Sequence, residues 1–375
     1  LIVSLHSCSI SKYMSLYKEV VFPVVSHFDP ESTHDTTIQL LKIAEKYRFI
    51  REFLERIYSC RDPRLNVTTW GLHFENPLGL AAGFDKNAVA PMALGALGFG
   101  HVEIGTVTPK FQRGSERPRI FRLGEDKALI NRMGFPGLGM EEVLDNLANT
   151  RERKMVLGVN AGANKRSVDE GRGADDYVEV LINLAAFADY LVINVSSPNT
   201  ARLRELQGKE ALRELIGRVR KEMDERQIVK PLLLKIAPDF ENSEREIGDI
   251  VDTAMEFGVN GIIATNTTVL REGLTSTFKN KRGGLSGRPL VQKSLDTIRT
   301  VYKISKGTLP IIGVGGVFNA EDVVRKMQVG ASLVQVYTGL VYEGPGMIKT
   351  INKDLVVYIE REGLDNISEM VGTAI

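Results

Sequence analysis

Cysteine and histidine are scarce in this sequence. Its two cysteines, Cys8 and Cys60, stand in the first sixth of the 375 residues. That excludes a disulfide scaffold and a cysteine-ligated zinc site in the main body, and removes cysteine as a catalytic residue there. Of five histidines, His6, His27 and His34 are N-terminal, leaving His73 and His101 beyond them, so Ser-His and multi-histidine metal mechanisms lack material. An excess of charge of either sign is also missing. Lys plus Arg number 48 against 47 acids, a net charge of +1, and no global field argues for nucleic acid. No segment reaches the roughly 18 uninterrupted apolar residues that span a bilayer. The opening LIVSL is too short to do so, and a first residue of Leu rather than Met reads as a trimmed or processed chain.

What is present is an ordinary soluble composition, 43% hydrophobic and 25% charged with 35 glycines. It allows one large α/β domain plus a smaller appendage. From Asn76 onward, apolar β-rich runs recur at even spacing with helix-like stretches between: PLGLAAG, HVEIGTVT, KMVLGVNAG, YLVINVSSP, PLLLKIAP, GIIATNTT, PIIGVGGV and SLVQVYTGL. Each ends in a polar or glycine-rich tip. This is the expectation for a (β/α)8 barrel with its loops gathered at one mouth, and an open doubly wound sheet is the competitor. The longest insertion, between Pro109 and Arg153, holds RPRIFRL and KALINRMGF around Gly124-Glu125-Asp126, which predicts a hairpin over that mouth.

Residues 12–60 differ. Tyr13, Leu16, Tyr17, Val20, Val21, Val24, Val25 and Phe28 fall at helical spacing and make a wide apolar face that Pro23 should bend or interrupt. Asp29-Pro30-Glu31 reads as an N-cap, a first-position proline and an acid in the first turn. The second helix it opens ends in KYRFIREFLERIY, with Tyr47, Ile50, Phe53, Leu54 and Ile57 largely opposite the charges. Two helices alone have little core for so much apolar surface. They either dock on the main domain or turn part of that face to lipid or an apolar ligand.

The chemistry gathers at the tips. Tyr190–Thr200, YLVINVSSPNT, runs from a strand buried on both faces into a turn that Pro198 forces, exposing Asn194, Ser196, Ser197 and Asn199. GVGGV (313–317) and VYTGL (336–340) end the last two strands, the usual phosphate site of such barrels, although glycine pairs also serve as plain turns. The other tips supply Lys86, Asn131, Asn160, Thr265, Asn266, Thr267 and Lys235. Lys235 lies inside an apolar strand, where a lysine is seldom found without an anionic partner; the plain alternative is one that snorkels to the rim. Neutral donors and acceptors with few acids suit a planar, amide-rich ligand, and no carboxylate or histidine cluster is available for metal hydrolysis.

Together NPLGLAAGFDKN, EIGTVTPK, RPRIFRL, INRMGF, GVN, NVSSPNT, LLLKIAPD, TNTT, GGLSGRPL, IIGVGGV and LVQVYTGL resemble the membrane-associated, quinone-linked class 2 of the dihydroorotate dehydrogenases, from about residue 12 to the C-terminus. The resemblance implies a (β/α)8 barrel (65–375) carrying FMN, preceded by a two-helix quinone-tunnel and membrane-association domain (12–64). It implies Ser197 as the base at carbon 5 of dihydroorotate while a hydride leaves carbon 6. A serine hydroxyl is a weak base, and Thr200 is the expected relay partner. Lys86, Asn131, Asn194, Asn199, Asn266 and Thr267 match substrate ligands. Ala81, Ala82, Gly83, Gly105, Thr106, Asn160, Lys235, Thr265, Ser286, Gly287, Gly315, Gly316, Tyr337 and Thr338 match FMN contacts, with Lys235 offsetting charge at the flavin N1/O2 edge. Thr106 and Met133 depart from the serine and aromatic of the family pattern and put the shape of the site in doubt. Ubiquinone would reach the flavin past Arg122 and Tyr337, with His34 further out and Val21, Val24, Val25 and Thr37 lining the tunnel. Residues 200–208 are a candidate lid. The expected partners are dihydroorotate, orotate, ubiquinone and a membrane surface, with no metal and no nucleic acid. The expected location is the mitochondrial inner membrane or, alternatively, the cytoplasmic face of a bacterial inner membrane. Rival readings are an FMN barrel that reduces pyrimidines, which would want a cysteine acid; a flavin-free lyase with Lys235 as Schiff base; and an inactive barrel serving as a membrane scaffold.

Overall fold

The computed structural model describes residues 16–148, 150, 153–199 and 203–375. Eight short apolar strands form a closed barrel: β1 (Leu78–Leu80), β2 (His101–Val107), β3 (Val156–Ala161), β4 (Tyr190–Asn194), β5 (Leu232–Ile236), β6 (Gly261–Ala264), β7 (Ile311–Val314) and β8 (Leu333–Val336). Each pairs in parallel with the next, and β8 returns to β1 through Val334 opposite Leu78. All eight expected runs supply a strand, and the open-sheet alternative falls. The strands are buried on both faces because helices cover the outside and side chains fill the inside, which explains their continuous apolar reading.

The N-terminal end of the barrel is plugged by rings. A small hairpin, Val67–Thr69 with Leu72–Phe74, turns through Trp70 and Gly71, both at positive φ (55° and 74°), the conformation of a tight two-residue hairpin turn. It carries Phe74 against His101 (5.5 Å between centroids), and His101 lies 6.4 Å from Tyr190. The rings fit because glycine faces them. A Cβ on Gly79 would stand 2.1 Å from His101 Nε2, and one on Gly158 would stand 2.1 Å from Tyr190 Cζ.

The opposite end is roofed. The expected hairpin exists as Ile120–Leu123 with Ala128–Asn131. A third strand that the sequence reading did not anticipate, Gly284–Gly287, adds antiparallel to its second strand. Phe121, Leu123, Ala128, Ile130, Leu274 and Leu285 form a separate small core under this sheet.

Ahead of the barrel, a π-turn at Tyr17–Val21 passes into one α-turn, Phe22–Val25, with Pro23 near its start. Asp29 then caps α1 (Pro30–Lys46) by accepting the Ser32 N–H, with Pro30 at the first position as expected. The long second helix of the sequence reading is divided: Tyr47 adopts an extended conformation, and a separate helix α2 runs Arg48–Tyr58. The two meet the barrel through Leu41, Ala44, Ile50 and Leu54 against Ala90 and Ala93. Leu40, Ile43, Phe49 and Phe53 are more than half exposed on the other side.

Three polar contacts fasten α1. Glu31, almost fully buried, accepts from Arg119 Nη2 at 2.6 Å and Nε at 3.0 Å. Glu45 accepts the backbone N–H groups of Met92 (3.2 Å) and Ala93 (2.6 Å) at the start of the short helix Pro91–Gly95. Burial pushes the Glu45 carboxyl up to about 7, against the lowering effect of those two N–H groups. His34 accepts from Lys86 Nζ at 3.4 Å.

Candidate active site at the barrel mouth

A cavity of about 440 Å³ runs from between α1 and α2 down into the C-terminal mouth of the barrel. That volume is in the range of small-molecule sites. Its outer wall is Thr33, His34, Thr37, Leu41, Leu54 and Tyr58, and its floor is made by strand tips. Of the residues singled out in the sequence, Ala81, Ala82, Gly83, Lys86, Thr106, Asn131, Asn194, Ser197, Asn199, Lys235, Thr265, Asn266, Thr267, Ser286, Gly287, Gly315, Gly316, Tyr337, Thr338, His34, Thr37 and Arg122 line it.

Five do not. Gly105 and Asn160 lie one layer behind the wall: the Gly105 carbonyl accepts the Gly83 N–H at 2.7 Å, and Asn160 Oδ1 accepts from Thr106 Oγ1 at 2.6 Å. Val21, Val24 and Val25 are a correction. Val21 and Val24 are exposed and Val25 half-buried, none of them on the cavity wall. The irregular turn at Tyr17–Val25 rotates Tyr17 inward instead, where its hydroxyl donates to the Val341 carbonyl at 2.8 Å. Periodicity identified an apolar face there but not its direction. Thr200 lies outside the described residues. Of the candidate lid, Leu203–Gln207 forms a 3-10 turn braced by Arg204, which pairs with Asp239 at 3.1 Å and donates to the Thr267 carbonyl at 3.2 Å.

At the floor the amides interlock. Asn194 Nδ2 donates to Thr106 Oγ1 (2.9 Å) and Asn160 Oδ1 (3.0 Å), and Ser196 Oγ donates to Asn194 Oδ1 (2.9 Å). Asn266 Nδ2 donates to Ser196 Oγ (2.9 Å), and Asn199 Nδ2 to Asn131 Oδ1 (3.1 Å). Such a network fixes which way each amide faces and so presents a set pattern of donors and acceptors. Ser197 is buried at the cavity edge, its Oγ accepting the Asn199 N–H at 3.3 Å.

Electrostatics separates two lysines. Burial pushes Lys86 down to about 8, opposed by Asp35 and Glu31, which leaves it mostly protonated at neutral pH. Burial and the neighbouring Lys86 push His34 down to about 3, so it stays neutral and can accept from Lys86. Lys235 pairs at 3.4 Å with Glu103, a buried carboxylate the sequence reading passed over. The sequence signal was there: an acid inside the apolar run HVEIG is as unusual as the lysine inside LLLKI.

At the far side, Gly315 and Gly316 take φ of 117° and 73°. A Cβ on Gly316 would stand 2.2 Å from Val291 Cγ2, so this loop after β7 can only be glycine. Ser286 Oγ accepts from Thr338 Oγ1 at 2.8 Å across the same corner. Among the described residues no group of His, Cys, Asp and Glu could hold a metal.

A (β/α)8 barrel whose strand tips converge on one deep cavity, with a glycine cradle after β7 and an apolar entrance, is an enzyme of the barrel class with its active site at the C-terminal face. The family model for dihydroorotate dehydrogenase matches residues 64–359. A relative named dihydroorotate dehydrogenase (quinone), from Christiangramia forsetii, is 45% identical over 341 residues, 91% of this chain and 99% of that one. The mouse protein named dihydroorotate dehydrogenase (quinone), mitochondrial, is 43% identical over 95% of this chain and 90% of its own. The crystal structure of the Eimeria tenella enzyme with ferulenol superposes with a TM-score of 0.82 at 39% identity, covering 92% of this chain and 95% of that one. The chain belongs to the dihydroorotate dehydrogenase family.

Proposed function

We propose that the protein oxidises (S)-dihydroorotate to orotate, a step of pyrimidine synthesis, with FMN as its flavin and ubiquinone as the electron acceptor. The observation that carries this reading is one continuous cavity with an apolar entrance between α1 and α2 and a floor of interlocked amides beside Ser197 and Lys86. Those two halves suit two different substrates, a greasy one and a planar polar one.

The residues present fit FMN. The Gly315-Gly316 cradle can meet a phosphate with backbone N–H groups. Gln335 Oε1 is buried with no partner among the described residues, and Gln335 and Lys235 both face the cavity. When bound, FMN would supply a two-electron acceptor for the hydride that quinone can reoxidise. The chain does the rest. Lys86 holds the substrate carboxylate. Asn131, Asn194, Asn199, Asn266 and Thr267 pair with the ring carbonyls and N–H groups, so that carbon 5 faces Ser197 Oγ. Ser197 takes the proton there. Because a serine hydroxyl is a poor base alone, the proton must pass on through a hydroxyl or water relay, for which Thr200 remains the candidate. The roof hairpin over the mouth would limit the access of water to the hydride path. Arg122, held over the Ser26 carbonyl at 2.8 Å, and Tyr337 stand where the quinone ring would stop.

The exposed Leu40, Ile43, Phe49 and Phe53 suit contact with a membrane surface. No described helix is long and apolar enough to cross one. The compartment proposed is the mitochondrial inner membrane, with a bacterial inner membrane as the alternative.

The test is anaerobic addition of dihydroorotate to the purified yellow protein, then of a soluble ubiquinone analogue. Bleaching followed by recovery is expected. A colourless protein, or one that dihydroorotate does not bleach, refutes the substrate and cofactor reading. Bleaching without recovery refutes the quinone reading alone.

A further inference from the structure

Glu103 is fully buried in β2 and does not reach the cavity. A carboxylate in such a place is tolerated only when its charge is paired and its lone pairs are filled. Four side chains do this. Asn160 Nδ2 (2.7 Å) and Lys235 Nζ (3.4 Å) donate to Oε1, while Gln335 Nε2 (2.8 Å) and the Tyr190 hydroxyl (3.4 Å) donate to Oε2. Of these only Lys235 and Gln335 face the cavity.

Two consequences follow from the chemistry of the donors. Asn160 can turn its Oδ1 towards Thr106 and Asn194 only while its NH2 has an acceptor on the other side, and Glu103 is that acceptor. The orientation of the Asn194 amide therefore depends on a group that does not itself reach the cavity. Lys235 is a cation in an interior where charges are weakly screened. Its attraction for incoming electrons is opposed by a fixed negative charge 3.4 Å away.

We propose that Glu103 is a positioning residue for the flavin reaction: it sets, through Lys235, the charge presented to the bound flavin, and through Asn160, the direction of the Asn194 amide. The proposal rests on the reading of FMN and Lys235 given above. Glu103 touches neither substrate nor cofactor and is not a catalytic residue.

Glu103→Gln isolates the charge. The shape is kept, and the new NH2 finds an acceptor in Gln335 Oε1, which has no partner among the described residues, once that amide turns; the turn is common to both backgrounds, so what passes through Lys235 is the difference between their shifts. The measurement is the midpoint potential of the bound flavin at pH 7 in the parent, Glu103→Gln, Lys235→Met and the double variant. Glu103→Gln is expected to move the potential to a more positive value in the parent and by a clearly smaller amount in the Lys235→Met background. Loss of thermal stability with an unmoved potential would make Glu103 a plain core ion-pair partner and overturn the proposal. The same shift in both backgrounds would also overturn it, since the effect would not pass through Lys235. Tyr190→Phe removes one donor to the carboxylate while keeping the ring, and is expected to move the potential the opposite way. It carries the test should Glu103→Gln not fold, and no shift there overturns the proposal. A parent protein that binds no flavin fails the FMN reading before any variant is made.

Discussion

Glu31→Ala tests how the helical appendage is held to the barrel. The Glu31 carboxylate is 4% exposed and takes three contacts from Arg119, itself 6% exposed, at 2.6 to 3.1 Å. Arg117 adds a fourth at 3.0 Å from a largely exposed position, where solvent screening leaves it worth roughly 0–1 kcal/mol. Removing the carboxylate leaves the Arg119 guanidinium buried with only Nη1 still satisfied, on the carbonyls of Arg113 (2.7 Å) and Ser115 (3.0 Å). Breaking a buried pair from one side costs about 3–5 kcal/mol, a factor of about 10²–10³·⁵ in the docking equilibrium at about 1.4 kcal/mol per decade. Since α1 crosses the roof hairpin at this pair, the loss should appear there first. Hydrogen exchange over residues 30–58 is expected to accelerate by about that factor, while flavin reduction by dihydroorotate holds and the quinone KM rises. Glu31→Leu with Arg119→Met should recover most of the loss, because a packed apolar pair needs no compensation. Unchanged exchange over 30–58 in Glu31→Ala would show that apolar packing alone holds the helices, and would refute the reasoning.

Ser197→Ala should slow flavin bleaching by dihydroorotate about 10²–10⁴-fold, the usual share of general base catalysis, with orotate affinity kept; stopped-flow rates within tenfold of the parent would remove Ser197 as the base. Gly79→Ala drives a Cβ to 2.1 Å from the His101 ring and should destabilise by more than about 3 kcal/mol, beyond ordinary overpacking; a denaturation midpoint close to the parent's would show that the ring floor can yield. Glu45 carries a carboxyl raised from 4.5 to about 7, so between those values the folded state keeps a proton that the unfolded state has lost, and its contribution to stability falls as pH rises from about 4.5 to 7. Comparing Glu45→Gln with the parent in denaturant at pH 5 and pH 8 should show a smaller decline in the variant; identical declines would assign the slope to other groups.

The barrel was legible because parallel strands buried on both faces must be written as unbroken apolar runs, and because each run ended in residues that cannot continue a strand. The roof was only half legible. Gly124-Glu125-Asp126 announces its own turn, but Gly284–Gly287 has neither β-branched residues nor alternation, and its partner strand lies more than 150 residues earlier. Ser286 and Gly287 were nevertheless assigned through a motif resemblance, and the extra strand is what carries them to the cavity. Glu103 escaped for a related reason: Lys235 was seen to need an anion, yet its partner is 132 residues away in sequence. Val21, Val24 and Val25 were placed in the tunnel by the family resemblance alone; a helical stripe names a face, and the irregular backbone at Tyr17–Val25 decides where it points.

The contact between Tyr17 and Val341 spans 324 residues, and this sets a timetable for the making of the molecule. At about 5–20 residues per second of synthesis, Tyr17 leaves the ribosome roughly 15–65 s before its acceptor exists. The roof hairpin that α1 crosses gains its third strand only after β6 has been made, and β1 gains its second neighbour only with β8. For most of that interval the residues on which α1 and α2 rest, Ala90, Ala93 and Arg119, already exist, but the barrel behind them is not closed. The segment synthesised early can therefore begin to dock early, on Ala90, Ala93 and Arg119, but completes its contacts only when the last strand has been made.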